Sequence, residues 1–253
     1  MRDFEQQREY ARRLVPVAKE DAFTEAGFLL DYCKAHPSAD AEQLIARRLM
    51  EEPLQYVLGE WEFFGLPFRV DHRALIPRPD TELLCEIGLS LLNGGERVLD
   101  LCCGSGCIGI ALAKHRHVEL VAADISEDAL ALTKENAERN NVTIRTRCSD
   151  LFDQVEGTFD LIVSNPPYLT ATELKEMDCS LRFEPVLALD GGLDGLMFYR
   201  RIRDSYQKHL KKGGTLLLEI GATQKDAVCA LFPGSECSLD YGSRPRVVVV
   251  KND

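Results

Sequence analysis

FDLIVSNPPY, residues 159–168, combines a buried strand with a turn that a sheet cannot continue. Its first half is predicted to be a strand, because Leu161–Val163 is a short apolar run, partly β-branched, of the kind buried in parallel sheets. The strand is expected to end before Pro166, since neither proline can donate a hydrogen bond within a sheet. Asn165 and Tyr168 therefore follow the carboxyl end of a strand, which is the edge of an open α/β sheet where ligands bind.

Strands and helices are predicted to alternate on both sides of this stretch. The predicted strands are residues 96–101, 118–123, 142–147, 159–164 and 214–220, and the predicted helices are residues 106–116, 127–139, 171–177, 195–211 and 223–231. Such alternation is typical of a doubly wound parallel sheet. Two final strand-like runs, Glu236–Leu239 and Val247–Lys251, are separated only by a turn over Asp240–Arg246, which predicts a terminal antiparallel hairpin.

Residues 1–54 are predicted to form a small helical domain. Apolar residues recur there at three- and four-residue spacing among charged ones, which is typical of amphipathic helices. They are Leu14, Val15, Ala18, Ala22, Phe23, Ala26, Leu29 and Leu30, followed by Leu44, Ile45, Leu49 and Met50. Ser38 is expected to cap the helix that carries the second group, and Pro53 to end the domain. We see no catalytic constellation in this domain, so it either recognises a partner or packs on the main domain.

A β-hairpin linker is predicted over residues 55–75, which are rich in aromatic and β-branched residues and contain glycine turns. Two roles stay open for it, a plain connection and a cover over a ligand. The main domain follows as residues 76–253. Near its start Arg78 stands between two prolines, and it is either presented to a ligand or an ordinary surface arginine. Asp80 is expected to cap the next helix.

A second group of candidate ligand residues lies at the same predicted sheet edge as Asn165. The first strand runs into Cys102-Cys103-Gly104-Ser105-Gly106, whose glycines allow the backbone to approach a ligand and whose following helix offers free N–H groups. Asp100, Asp124 and Asp150 end or follow successive strands. One such aspartate alone would indicate a helix cap, and one Asn-Pro a strand end. Their coincidence favours a ligand site.

The residue types favour S-adenosylmethionine over a dinucleotide. Asp124 is placed to chelate two ribose hydroxyls, and Asp150 to accept from an adenine amino group while Leu151 packs on the ring. A dinucleotide would place its pyrophosphate on a G-x-G-x-x-G turn, but this loop lacks the first glycine, and no arginine is expected nearby to bind the phosphate. The loop is more similar to one that holds the methionine part of S-adenosylmethionine, with Asp100 at the strand end.

Composition limits the remaining classes of protein. The 253-residue chain is 45% apolar and 28% charged, as expected of a soluble globular protein. Apolar runs of membrane-spanning length and a secretory signal are both missing, so a cytoplasmic location without a membrane partner is expected. The formal charge of −11 disfavours broad contact with a nucleic-acid backbone. The nine cysteines include no paired Cys-x-x-Cys units, so no metal site is expected and the thiols are predicted to be reduced.

Over nearly its whole length the chain resembles the HemK/PrmC family, the glutamine methyltransferases of peptide chain release factors. The resemblance lies in the Gly104–Gly106 loop, in Asn165–Tyr168, and in residues 77–82 (PRPDTE), 184–195 (EPVLALDGGLDG), 213–221 (GGTLLLEIG) and 240–246 (DYGSRPR). Asn-Pro-Pro-Tyr alone is shared with enzymes that methylate adenine. The Pro-Arg-Pro segment, residues 184–195 and the helical N-terminus narrow the resemblance to this family. Family members commonly have Gly-Thr-Gly-Ser-Gly where this chain has Cys102–Gly106. A cysteine can replace a glycine there if its φ stays negative. Leu151 stands where some members have tryptophan.

The resemblance implies a class I S-adenosylmethionine-dependent methyltransferase fold. This fold is Rossmann-like α/β, with a seven-stranded sheet that ends in an antiparallel hairpin, and here it follows a helical substrate-recognition domain. The implied reaction is methyl transfer to the glutamine of the Gly-Gly-Gln motif of bacterial release factors, with S-adenosylhomocysteine as product. The release factors are therefore the expected partners, and direct nucleic-acid binding is not expected.

The resemblance also implies a role for each site residue. The Asn165 side-chain oxygen and the Pro166 carbonyl would accept both N–H bonds of the substrate amide, and Tyr168 would pack against it. Pro167 and Arg78 would complete the substrate site. The implied cofactor site comprises Asp100, Cys102, Cys103, Gly104, Ser105, Gly106, Asp124, Asp150, Leu151 and Asn165.

Two other functions stay open. Adenine-N6 methylation of DNA or RNA would be served equally by Asn-Pro-Pro-Tyr, but we find no basic groove or added recognition domain in the sequence. A non-catalytic adenosine-binding module is disfavoured by the intact Asn165 turn.

Overall fold

The computed structural model describes residues 2–177 and 179–252. Its N-terminal helices pack around one apolar cluster that includes Leu14, Leu29 and Ile45. These helices are α1 (Arg2–Ala18), α2 (Ala22–Ala35), α3 (Ala41–Leu49) and α4 (Leu54–Leu58). Leu54 and Leu58 belong to this cluster, so the helical packing continues beyond Pro53. The division of the chain into domains at residues 54 and 75 stays a prediction.

The cap of α3 is Asp40 and not Ser38. The Asp40 carboxylate accepts from the backbone N–H of Glu42 at 2.9 Å and of Gln43 at 3.4 Å. A carboxylate satisfies the first free N–H groups of a helix and is also attracted by the positive end of the helix dipole. The helix therefore begins after Asp40, two residues later than a Ser38 cap would place it.

The predicted hairpin is confirmed but is shorter than residues 55–75. It consists of β1 (Glu60–Phe63) and β2 (Leu66–Arg69), paired antiparallel. The chain then reaches a 3₁₀ turn over Pro79–Thr81 and α5 (Glu82–Leu91). Asp80 lies within the turn and its carboxylate pairs with Arg246 at 2.9 Å, while the N-cap position of α5 is Thr81. The prediction that Asp80 caps α5 was therefore wrong.

A seven-stranded sheet carries the rest of the chain. Its strands are β3 (Arg97–Leu101), β4 (Glu119–Asp124), β5 (Ile144–Cys148), β6 (Phe159–Ser164), β7 (Leu210–Glu219), β8 (Glu236–Leu239) and β9 (Pro245–Lys251). The helices between them are α6 (Cys107–His115), α7 (Glu127–Arg139), α8 (Ala171–Glu176), α9 (Met197–Ser205) and α10 (Lys225–Leu231). The order is β5-β4-β3-β6-β7-β9-β8, with β9 antiparallel to both neighbours, which confirms the predicted α/β sheet and terminal hairpin.

The helix predicted over 195–211 is too long. α9 ends at Ser205, and β7 already begins at Leu210, where Leu210 pairs with Phe159. Regular pairing resumes only between Leu161 and Thr215, so the residues between the two pairs bulge out of the ladder. The apolar spacing of α9 continues into β7, so the sequence alone does not show where the helix ends. The first residue of β7 is determined by its pairing with β6, which is distant in sequence.

The sheet is buried on both faces and reverses its strand order between β3 and β6. Val98 and Leu161 belong to the cluster on one face, and Leu99 and Ile162 to the cluster on the other. From β3 the chain adds β4 and β5 outward and then returns to place β6 on the other side of β3. Ligands bind open α/β sheets at the carboxyl side of such a reversal.

Candidate active site

A cavity lies at this reversal, and most of the predicted site residues form its wall. The predicted residues on the wall are Arg78, Cys102, Cys103, Gly104, Ser105, Asp124, Asp150, Leu151, Asn165 and Pro167. Four other predicted residues, Asp100, Gly106, Pro166 and Tyr168, do not line it. The fold thus brings together the ends of β3, β4 and β6 and the turn after β5, as expected from their common edge.

The loop from β3 to α6 is held in an unusual backbone conformation. Gly106 has a φ of +78°, and a Cβ there would lie 2.7 Å from Cγ2 of Thr133, so both conformation and space require glycine. Cys102 has a φ of +60°, so the condition that this cysteine keeps a negative φ is not met. A side chain in the left-handed region costs roughly 1–2 kcal/mol. The chain therefore carries strain at the position where the family commonly has glycine.

Asp100 supports this loop from below the cavity wall. Its side chain is fully buried, and Oδ2 accepts from the backbone N–H of Gly109 in α6 at 2.8 Å. Within the described ranges, Oδ1 has no hydrogen-bond partner. Burial raises the pKa of Asp100 to about 7, while the Gly109 N–H opposes that shift. A buried acceptor without a donor is costly, and it marks a place where a ligand or water can donate.

Asp124 connects β4 to the glycine loop. One carboxylate oxygen accepts from the backbone N–H of Gly104 at 2.9 Å, and the other from that of Ser126 at 2.9 Å. Burial raises the pKa of Asp124, although these backbone donors lower it. Each oxygen keeps a further lone pair, so the carboxylate can hold the loop and still accept from two hydroxyls in the cavity.

The predicted adenine side of the cavity contains an arginine that sequence reasoning missed. Asp150 pairs with Arg201 of α9 at 2.8 Å, and both side chains are 41% exposed. Arg73 and Arg78 also line the cavity, so the expectation that no arginine lies near the loop was wrong. Arg73 pairs with Asp71 at 2.8 Å and Arg78 pairs with Glu184, so all three positive charges face acidic partners. An ion pair between two distant elements leaves no pattern in the sequence around either residue, so Arg201 could not be identified from the sequence.

The Arg78–Glu184 pair connects two of the segments in which the family resemblance lies. The Glu184 side chain is 1% exposed, and its second oxygen accepts from the backbone N–H of Ile76 at 2.9 Å. Two residues that are distant in sequence thus fix the extended Pro-Arg-Pro segment on the cavity wall. Arg78 is therefore ion-paired within the fold while it lines the cavity, and its contact with a substrate stays a prediction.

The Asn165 turn occupies the other side of the wall. Ser164 ends β6, and its hydroxyl donates to the Leu101 carbonyl at 2.7 Å, which ties this turn to the end of β3. Nδ2 of the half-buried Asn165 lies 3.5 Å from Oγ1 of Thr81, a residue that sequence reasoning did not select. Tyr168 packs against the core beside the turn, and burial raises its pKa to about 12. Its contact with a substrate stays a prediction.

Comparison with known proteins identifies the family. The model of the methyltransferase small domain matches residues 81–180. The release factor glutamine methyltransferase of Geobacter sulfurreducens is 44% identical over 192 residues, which cover 75% of this chain and 68% of the relative. The release factor glutamine methyltransferase of Haemophilus influenzae is 38% identical over 227 residues, which cover 81% of this chain and 78% of the relative. This chain belongs to the release factor glutamine methyltransferases.

Solved structures support the fold of this glutamine methyltransferase family member. A methyltransferase from Pyrococcus furiosus has a TM-score of 0.58 at 21% identity and covers 75% of this chain and 90% of its own. A Thermus thermophilus 16S rRNA N2 G1207 methyltransferase, in complex with AdoMet and guanosine, has a TM-score of 0.56 at 19% identity. The match covers 77% of this chain and 50% of that methyltransferase. At these identities the likeness concerns the fold alone, and it confirms the predicted class I methyltransferase architecture.

Among residues 2–177 and 179–252, no helix is long and apolar enough to cross a membrane. No group of three or more His, Cys, Asp or Glu side chains in the same ranges is placed to hold a metal ion.

Proposed function

We propose that this protein transfers a methyl group from S-adenosylmethionine to the side-chain amide nitrogen of the glutamine in the Gly-Gly-Gln motif of peptide chain release factors. The observation that carries the proposal is the position of Asn165 on the wall of the cavity that also contains Asp124 and the glycine loop. The proposed amide-binding group and the proposed nucleoside-binding group thus share one cavity. The names of the relatives, at 38–44% identity, support the choice of acceptor.

The residues at the end of β3 and β4 fit S-adenosylmethionine. The glycine loop leaves room for a ligand close to the backbone, and Asp124 can accept from both ribose hydroxyls. The buried Oδ1 of Asp100, which no donor reaches in the described part of the chain, lies below the cavity wall and fits a donor supplied through water. When bound, the cofactor supplies the electrophilic sulfonium methyl group.

The proposed role of the Asn165 turn is to compensate for the low nucleophilicity of the acceptor amide nitrogen. A carboxamide nitrogen is a poor nucleophile because its lone pair is delocalised into the carbonyl. We propose that the Asn165 side-chain oxygen and the Pro166 carbonyl accept the two N–H bonds and so hold the nitrogen in line with the methyl group. Alignment and electrostatic complementarity then provide most of the acceleration. A general base is not required before transfer, because the proton can leave afterwards.

The cavity cysteines are not expected to take the methyl group themselves. Cys102, Cys103 and Cys107 all line the cavity. Burial raises the pKa of all three thiols, that of Cys107 to about 12, so they are neutral near pH 7. Since the thiolate is the nucleophile, a buried neutral thiol is a poor acceptor.

The test is transfer of tritiated methyl from S-adenosylmethionine to a purified release factor. A release factor in which the glutamine of Gly-Gly-Gln is replaced by asparagine provides the matched acceptor control, and duplex DNA, RNA and no acceptor complete the set. We expect label only in the unaltered release factor. Label in nucleic acid alone would establish the adenine-methylating alternative, and label in none of them would favour an adenosine-binding module.

The partner and the site of action follow from the same proposal. We propose that the helices α1–α4 hold a part of the release factor outside its glutamine loop, and that the protein acts in the cytoplasm, where release factors work. Binding of the release factor by residues 1–58 alone would support this role of the helices.

A further inference from the structure

Glu219, the last residue of β7, is a buried carboxyl without a role in the proposed mechanism. It is 2% exposed, and it lies beside the Asn165 turn because the preceding residue, Leu218, pairs with Ser164. Among the described residues, no donor lies within hydrogen-bond distance of its Oε2. Burial of a carboxylate with an unsatisfied oxygen is costly. Because Glu219 lies next to the Asn165 turn, we infer that its cost to stability is linked to the function of that turn.

Thr81 connects Glu219 to the Asn165 amide. Its side chain is 2% exposed, and its Oγ1 accepts from Nδ2 of Asn165 at 3.5 Å. The Thr81 hydroxyl and the Asn165 amide both lie beside the Glu219 carboxyl and favour its charged form. A hydroxyl has a single hydrogen, and a carboxylate can only accept. When the Thr81 hydroxyl donates its hydrogen to Glu219, Oγ1 of Thr81 can act only as an acceptor. It can then accept a hydrogen bond only from the NH₂ group of Asn165, and not bond to the Asn165 oxygen.

The direction of the Asn165 amide determines what it offers to the substrate. The oxygen and the nitrogen of a side-chain amide lie on opposite sides of the same carbon. If the NH₂ group faces Thr81 and Glu219, the oxygen faces the cavity, where it can accept from the N–H of a substrate amide. If the amide is reversed, two N–H groups oppose each other and the substrate amide is no longer held.

We propose that Glu219 is a positioning residue whose carboxylate orients the Thr81 hydroxyl and thereby directs the oxygen of Asn165 toward the acceptor amide. This inference rests on the proposed function for the identity of the acceptor. The hydrogen-bond direction itself does not depend on which acceptor is bound. Glu219 does not touch the substrate, so its effect is transmitted through Thr81 and Asn165.

Charged and titratable groups from several elements face Glu219. They are Arg246 of β9, Asp80 of the 3₁₀ turn, Tyr168 after β6, Tyr199 of α9, Cys85 of α5 and Cys107 of α6. Arg246 favours the carboxylate, but its Nη2 also pairs with Asp80 at 2.9 Å and with Asp240 at 3.3 Å. Burial is the dominant influence, and it raises the pKa of Glu219 to about 7.

The orientation is therefore sensitive to pH. Below about pH 7 Glu219 is protonated and can donate to Oγ1 of Thr81. The Thr81 hydroxyl is then free to donate to the oxygen of Asn165, which reverses the amide. We expect turnover to fall on the acid side with a midpoint near 7, while affinity for the methyl donor is retained.

The first test uses no acceptor. In ¹⁵N-labelled protein, the Asn165 side-chain NH₂ signals are assigned by their loss in Asn165→Asp and followed from pH 5.5 to 8.5. We expect them to shift with a midpoint near 7 in the unaltered protein, to be independent of pH in Glu219→Gln, and to keep the midpoint in Glu236→Gln, an exposed control on β8. A shift that persists in Glu219→Gln, or is missing from the unaltered protein, overturns the proposal.

The second test is kinetic. In Glu219→Gln the glutamine side chain can donate as well as accept, so kcat should fall by ~10-fold or more. Affinity for S-adenosylmethionine should be unchanged, and the fall of turnover on the acid side (the acid limb) should be lost. Thr81→Val should lose turnover similarly, and Thr81→Ser should recover it because the hydroxyl returns. Unchanged kcat and an intact acid limb in Glu219→Gln would refute the inference. If the unaltered protein methylates no release factor, the proposed function fails, and the NMR titration still decides the role of Glu219.

Discussion

Replacement of Asp100 by asparagine should remove a pH dependence of stability. Asp100 is fully buried, its Oδ2 accepts from Gly109, and burial raises its pKa from 3.8 to about 7. Asp100→Asn keeps the shape and the carbonyl that accepts from Gly109, but it cannot ionise. The comparison of the two proteins therefore isolates the titration of one carboxyl.

The sign and size follow from proton binding. Between pH 3.8 and about 7 the folded state binds the Asp100 proton and the unfolded state does not. The folded state is therefore stabilised at low pH, and this contribution is lost as pH rises through about 7. The loss is about 1.4 kcal/mol for each pH unit. From pH 5.5 to 8.0 Asp100 should account for a decrease of about 2 kcal/mol in the free energy of unfolding.

The assay is urea unfolding of both proteins at pH 5.5 and 8.0, without the methyl donor. The unaltered protein should lose about 2 kcal/mol more than Asp100→Asn over this range. Glu219 and the other carboxyls that are not coupled to Asp100 titrate in both proteins, so their contributions cancel. The same pH dependence in both would show that Asp100 is not protonated in the folded state, which would refute the reasoning from burial.

Three further substitutions test the site. Asn165→Ala should lower turnover by ~100-fold or more and leave calorimetric affinity for S-adenosylmethionine nearly unchanged, and near-normal turnover would contradict the amide-binding role. Asp124→Asn should weaken that affinity by ~10-fold or more, and unchanged affinity would contradict the ribose role. Cys102→Gly should raise the free energy of unfolding by about 1 kcal/mol in urea, because its φ is +60°. Cys103→Gly is the control. Cys103 is buried and its backbone is outside the left-handed region, so this substitution should lower the free energy of unfolding.

Much of the fold could be predicted because its signals are local. The alternation of apolar runs and amphipathic segments places the strands and helices, and the prolines of Asn-Pro-Pro-Tyr end β6 where the structure ends it. The errors also have local causes. Ser38 and Asp80 are both good capping residue types, but whether either one caps depends on the backbone around it and on partners such as Arg246. Residue type alone does not contain that information.

The sequence by itself determined the parallel sheet, the edge at which the ligand residues meet, and the chemistry of Asn165, Asp124 and the glycine loop. It did so because the carboxyl ends of parallel strands must share one edge. Only the tertiary structure decided how these groups are held. It placed Arg201 opposite Asp150 and Glu184 against Arg78, and it set Thr81 beside Asn165. These contacts join residues far apart in the chain, and they depend on packing and burial, which leave no pattern in the local sequence.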